Sequence, residues 1–349
     1  MAFNGAILNK GMKIRRNILL VTLYSLILVS CKRDPIAVDV SDIKVDATAK
    51  RFEKELFKNS GTGQMPDIKS LKQHYGSFFN VFTHQIISVP EGPDEIVGNH
   101  LSQFINDAEV KDVYRMTDSA YSNMEDVEKR MTGFLQHLNY YYPDVPVPGV
   151  VTYISAFNYA VITTDSVIGI GLDMFLGDDV FYYARLGIPK YMFSKFRREY
   201  IVPSAIKAWY QSEYDIAGVK NELLSQMIYQ GKLMYFSKSM SPELNDTLIT
   251  GFTAAQLEWC KQNEANVWAY LIENKLLFNT DPSIYAKFVN DGPSTSGLPK
   301  EAPGKIGAWI GWQIVSQYAE KNSDISLPEI IKEIDAQKIL EKSGYKPNK

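Results

Sequence analysis

The stretch Gln226–Phe236, QMIYQGKLMYF, decides how the second half of this chain is read. Leu223, Met227 and Tyr235 recur at spacings of four and eight, which predicts the apolar face of an amphipathic helix. Gln230 falls close to that same face, seven residues after Leu223, and Gly231 follows it. A glycine inside a helix costs about 1 kcal/mol relative to alanine, and a buried amide without partners costs more. Two unfavourable choices side by side call for a reason.

Working outward, helical spacing extends this segment over Val219–Ser239. It predicts further helices over Pro203–Tyr214, Thr253–Asn274 and Ile306–Lys321. Upstream, VPVPG at Val145–Gly149 is a clear breaker. Between that breaker and the later helices lie VVTYISAF, YAVITT and SVIGIGLD, β-branched and aromatic runs separated by turn residues. They read as two or three adjacent strands. From Pro66 to Pro143 the pattern is mostly helical, with Leu71, Tyr75, Phe78, Phe82 and Ile86 in register and a long segment in MEDVEKRMTGFLQHLNYYY. No repeat of fixed period interrupts the body. The predicted fold class is α+β, predominantly α-helical, with a small central sheet flanked by helices in a single domain over residues 47–349. GKIGAWIGWQIVSQY carries Gly307 and Gly311 four apart. Its apolar run is too short for a membrane and holds Lys305 and Gln313, so those glycines are expected to permit close helix packing inside the domain.

The chain has 349 residues and 45% hydrophobic content, enough for a large core. Its net charge is −3, and residues 1–30 hold four basic side chains (Lys10, Lys13, Arg15, Arg16) and no acidic ones, so the remainder carries −7. An acidic body argues against nucleic acid as a partner. Arg15 and Arg16 precede the apolar run Ile18–Val29, which has the length of a signal-peptide core and ends in Leu28-Val29-Ser30-Cys31. Those four residues match the lipobox of bacterial lipoproteins, in which cleavage leaves an acylated cysteine first. Residues 1–30 thus read as a lipoprotein signal peptide, with MKIRRN from Met12 the more usual start. Cys31 reads as the lipidation site, acyl chains as the contact with the membrane, and residues 31–46 as a lipidated tether. Cys260 is then the one cysteine left, so no intramolecular disulfide is expected, and its helical setting predicts an inert, packed thiol.

These features together resemble the GldB family of gliding motility lipoproteins of the Bacteroidetes. The matching segments are the lipobox with KRDPIAVDVSDIKVD and RFEKELF, then SVIGIGLDMFLGDDVFYY, RREYIVPSAIKAWY, KIGAWIGWQIVSQYAEK and ILEKSGYKP. The resemblance implies a cell-envelope protein that supports the gliding machinery and the protein secretion apparatus linked to it. KRD after Cys31 gives no acidic surface-export signal, which favours the periplasmic side. The family is also distantly similar to predicted zinc metallopeptidases, which implies a degenerate zincin-like fold. In those enzymes one helix carries His-Glu-x-x-His and a later helix a Glu-Gly pair whose glutamate completes the metal site. By that resemblance QMIYQGKLMYF is the later helix, with Gln230 and Gly231 in a remnant cleft, and Glu199, Tyr200 and Tyr235 as candidate hydrogen-bond partners for the amide.

The residues do not support zinc chemistry. Two imidazoles one helical turn apart are needed, yet His74, His84, His100 and His137 include no such pair and none follows residue 137. The helix that should carry the motif reads EYIVPSAIKAWY, with Glu199 and no histidine. Asp173, Asp178 and Asp179 flank MFLG and read as surface or capping acids. No Gly-x-Ser-x-Gly elbow or phosphate loop occurs, and the glycines at 169, 171 and 177 lack dinucleotide-binding spacing. The expectation is a catalytically inactive relative of metallopeptidases, without metal or cofactor, that binds other components of the motility and secretion machinery. The alternative is a lipid-anchored, peptidase-like hydrolase with an unrecognised site.

Overall fold

The computed structural model describes Ile36 and residues 38–347, and Val38–Lys349 group as one unit. Cys31 and the signal-peptide reading lie outside the described residues. The chain runs β1 (Ala49–Arg51), α1 (Phe52–Phe57), α2 (Ile68–Tyr75), α3 (Asp94–Asn106), α4 (Ala108–Ala120) and α5 (Glu125–Tyr141). It continues through β2 (Gly149–Tyr153), β3 (Val161–Thr163) and β4 (Val167–Gly171) to a long irregular stretch with short helical turns. Then come α6 (Ile201–Glu213), α7 (Leu223–Met240), α8 (Ala254–Glu273), α9 (Pro282–Val289), α10 (Ile306–Lys321), α11 (Leu327–Lys332) and α12 (Ala336–Ser343). The class is α+β and predominantly helical, as the periodicity predicts. Local chemistry marks the starts: the Asp67 and Asp107 carboxylates accept from first-turn amides of α2 and α4, and Thr253 with Gln256 forms a capping box on α8.

The four strands lie in the order β1-β2-β4-β3, with β1, β2 and β4 parallel and β3 antiparallel to β4. The two or three adjacent strands expected after the breaker are present as β2, β3 and β4. β1, only three residues long, sits at the far edge and pairs Lys50 with Val151. After their first residue β2 and β4 are buried throughout, as parallel strands covered on both faces must be. One cover is an aromatic cluster in which the Phe52 ring meets Tyr75, Phe78 and Phe82 at centroid distances of 4.9, 5.4 and 4.6 Å, while Tyr153 packs on Phe78 and Phe82. α6 packs beside β3 and β4.

The polar stretch Asp39–Asp46, read as part of the tether, lies partly against the body. Val40 is buried, and the Ile43 carbonyl accepts a hydrogen bond from Gln136 Nε2 at 2.7 Å. The more consequential departure concerns α7. Every residue of this 18-residue helix is buried except Gln230 and Lys238. It is therefore a central helix enclosed on all sides and not an amphipathic one, because a helix apolar all round has no solvent face to pattern. Among the described residues, no helix is long and apolar enough to cross a membrane.

Candidate functional site

Gln230, Gly231 and Lys232 are successive residues of α7, each turned about 100° from the last, and each meets a different neighbour. Gly231 faces α10 at a helix crossing too close for side chains. A Cβ built on Gly231 would stand 2.2 Å from the Gly311 carbonyl carbon, and one on Gly311 would stand 1.9 Å from the Met227 carbonyl oxygen. The glycine thus serves the crossing, and Gly311 does serve close packing as its spacing predicts. Lys232, 7% exposed, extends to the C-terminus of α11, where Nζ donates to the carbonyls of Ile331 at 2.7 Å and Glu333 at 2.9 Å. Burial pushes this lysine down to about 8.

Gln230 faces a cavity of about 280 Å³. Two helices contribute matching stripes to its wall. Pro203, Ser204 and Lys207 of α6 follow Tyr200 at helical spacing, and Gln230, Leu233, Met234 and Ser237 of α7 repeat the pattern. Phe175, Met192 and Phe196 close it from the irregular stretch after β4, and Leu248 and Gly251 from the turn before α8. The polar end is cationic: Lys195, Lys207 and Lys305 line it with Asp291 as the one acid.

Asp291 Oδ1 accepts from Lys195 Nζ at 2.6 Å and Lys305 Nζ at 3.0 Å. Asp291 and Lys305 stand at the two ends of one loop, whose stem closes so tightly that a Cβ on Gly304 would meet the Gly292 carbonyl oxygen at 2.3 Å. Burial works to raise the Asp291 carboxyl, but the Lys305 and Lys195 ammoniums hold it well below the usual carboxylate range. Burial and repulsion by Lys305 push Lys195 down to about 8, against the pull of Asp291. Gly251 backs the pair: its φ is +70°, and a Cβ there would lie 2.9 Å from Lys195 Cε, with the Lys195 and Lys305 Nζ atoms at 3.5 and 3.8 Å. Lys207 differs from both. It is open to the solvent of the cavity, the surrounding protein and Lys305 lower its pKa, and no described residue gives it an ion pair or hydrogen bond.

The residues expected in the cleft are only partly brought together. Gln230 lines the cavity and Tyr200 lines it too, but no hydrogen bond joins them or ties the amide to any described residue. Glu199 points elsewhere and pairs with Arg197 at 3.4 Å on the surface, because it precedes α6 and falls off its cavity stripe. Tyr235 is buried in the core, five residues past Gln230 and so on another side of α7. Gly231 faces α10. The four histidines lie on the N-terminal helices or the π-helical turn Val81–Ile86, and none lines the cavity. Cys260 is fully buried, with burial pushing its thiol up to about 12, which suits an inert thiol.

Asp173 corrects a surface reading: it is wholly buried at the end of β4. Its Oδ2 accepts from the amides of Ser155 at 3.1 Å and Phe157 at 2.6 Å, holding a turn in which Ala156 and Phe157 both have positive φ. Sequence reasoning missed Lys195, Lys207, Asp291 and Lys305. They sit in four different segments with no shared spacing, so no local pattern could have joined them. No cluster of three or more His, Cys, Asp or Glu that could hold a metal lies among the described residues.

The family model described as gliding motility protein GldB matches residues 33–347. No curated protein and no solved structure matches the chain. The matched span contains the glycine crossing, the α11 cap and the whole cationic cavity, and by it the chain belongs to the GldB family of gliding motility proteins.

Proposed function

We propose that this protein is a lipid-anchored component of the cell envelope. It serves gliding, and the secretion apparatus linked to it, by binding another component rather than by catalysis. One observation carries the non-catalytic part: the facing stripes of α6 and α7 present Tyr200, Ser204, Lys207 and Gln230 to the cavity. A zinc hydrolase needs two imidazoles and a third ligand converging there. An ammonium and an amide do not make a zinc ligand set. The anchor rests on the lipobox ending at Cys31, and the periplasmic side on the lack of an acidic signal after it.

Three measurements test this reading. Deletion should abolish colony spreading and alter the secreted protein profile, and complementation should restore both. Cells fed an alkyne fatty acid should label the protein, with Cys31→Ala losing both label and membrane retention. Complementation by Lys207→Ala or Gln230→Ala should fail only through lost partner capture, with no peptidase activity in the purified wild type. Measurable peptide cleavage would sink the non-catalytic reading.

A further inference from the structure

The cationic cavity has one feature that the architecture does not explain. Lys195 and Lys305 have a structural task, since both neutralise Asp291 and clamp the stem of its loop. Lys207 has none. It projects from the middle of α6 into the same space, one helical turn beyond Ser204; Asp291 acts on it only at longer range, and no described residue forms an ion pair or hydrogen bond with it. Ser204 lies one turn before it on α6 and Gln230 lines the same cavity from α7, and neither has a hydrogen bond to a described residue. Three lysines against one aspartate leave the wall positive in a chain of net charge −3. Much of the remaining lining is apolar: Phe175, Met192, Phe196, Leu233, Met234 and Leu248. Ligand sites commonly combine such an apolar wall with a few convergent polar groups.

We propose that this cavity binds a carboxylate carried on an apolar body, with Lys207 as its counter-ion and Gln230 and Ser204 as hydrogen-bonding neighbours. One unpaired ammonium matches one negative charge. The lining contains no arginine to make the bidentate, planar contact that favours phosphate recognition. Lys195 and Lys305, held close by Asp291, add a longer-range field, which the partly enclosed setting screens less than bulk water would. Two sources share this chemistry, a free small acid and the C-terminal carboxylate of a protein chain ending in an apolar residue. The proposal rests on the reading of the cleft as a binding site and adds what it binds.

The test uses the full chain in lipid nanodiscs, with empty nanodiscs as the blank. Calorimetry with 3-phenylpropionate and 3-phenylpropionamide should show the acid binding at least about tenfold more tightly, the worth of one charge-assisted contact. Lys207→Gln should abolish that preference, and Lys207→Arg should keep it within about threefold because the charge is retained. Both variants carry an exposed side chain, and unchanged thermal unfolding shows that they fold. A short peptide ending in phenylalanine, with and without C-terminal amidation, separates the sources. Tighter binding of the free-carboxylate peptide than of 3-phenylpropionate assigns a protein terminus, the reverse assigns a small acid, and either upholds the carboxylate. Equal binding of acid and amide, no saturable binding of the acid, or an undiminished preference in Lys207→Gln would each overturn the site. Cleavage of the peptide would overturn the non-catalytic reading alone.

Discussion

Gly311→Ala is the sharpest probe of what organises this fold. A methyl at that position would stand 1.9 Å from the Met227 carbonyl oxygen and 2.5 Å from its carbon, both backbone atoms of a helix buried all round. Ordinary contact needs well over 3 Å, so α7 and α10 must separate by more than 1 Å or tilt. Neither can do so freely, because α7 also packs on α6, α9 and α12. Overpacking a close-packed interior costs about 1–3 kcal/mol and sometimes more, and a backbone clash belongs at or above the top of that range. Alanine returns about 1 kcal/mol through helix propensity. The expected net loss is thus about 2 kcal/mol or greater, read as a lower urea midpoint at unchanged slope. Gly133→Ala is the matched control, since it lies within α5 and a Cβ there meets nothing within 4 Å. It should gain up to about 1 kcal/mol from propensity alone. If Gly311→Ala proves as stable as Gly133→Ala, the crossing is not what demands the glycine.

Four further outcomes follow from the same geometry. Gln230→Leu should change stability by less than about 0.5 kcal/mol, since its amide faces solvent and leaves no partner unsatisfied, whereas a hydrogen-bonded buried amide would cost about 1–3 kcal/mol. Lys232→Met should destabilise by about 1–3 kcal/mol through the two unsatisfied carbonyls at the end of α11, measured by chemical denaturation. Lys232 also titrates low, at about 8 against an ordinary 10.5, so between those values the unfolded chain holds more protons than the folded one. Wild-type stability should therefore gain from this lysine as pH rises through that window, and the gain should vanish in Lys232→Met. Asp173 runs the other way: burial raises it from 3.8 to about 6, so its contribution is fully present below about pH 4 and is lost as pH rises through 6. Asp173→Asn should flatten stability between those pH values, and an unchanged slope would refute the assignment.

Much of the fold was legible because its elements obey a period. The strand run from Val150 to Gly171 alternates β-branched residues with turn signals, and Ile306–Lys321 matches its helix to the residue. β1 was missed because three residues cannot show a period, and its strand character comes from pairing with β2. α7 is legible as a helix but not as a central one. Leu223, Met227 and Tyr235 define a single apolar face, while the structure surrounds the helix with α6, α9, α10 and α12. The site was least legible for a related reason. Lys195, Lys207, Asp291 and Lys305 meet only through the packing of α6, α7 and α10, and distance in space leaves no trace in spacing along the chain.

The adjacency of Gln230, Gly231 and Lys232 has a mechanical consequence that joins these observations. A cavity wall can select a ligand only if its groups are held in place by packing behind them. Gly231 locks α7 against α10 by backbone contact, and Lys232 ties the same turn to the end of α11. Between them the turn bearing Gln230 can neither roll nor slide. Lys305 caps the start of α10, so the crossing at Gly311 also fixes that ammonium less than two turns away, against Asp291. The glycine that costs helix stability in α7 is thereby part of what presents the cavity. A Gly311→Ala protein that still folds should then show weakened binding of 3-phenylpropionate although no lining residue has changed. Wild-type affinity in a protein destabilised by about 2 kcal/mol would break this link between crossing and cavity.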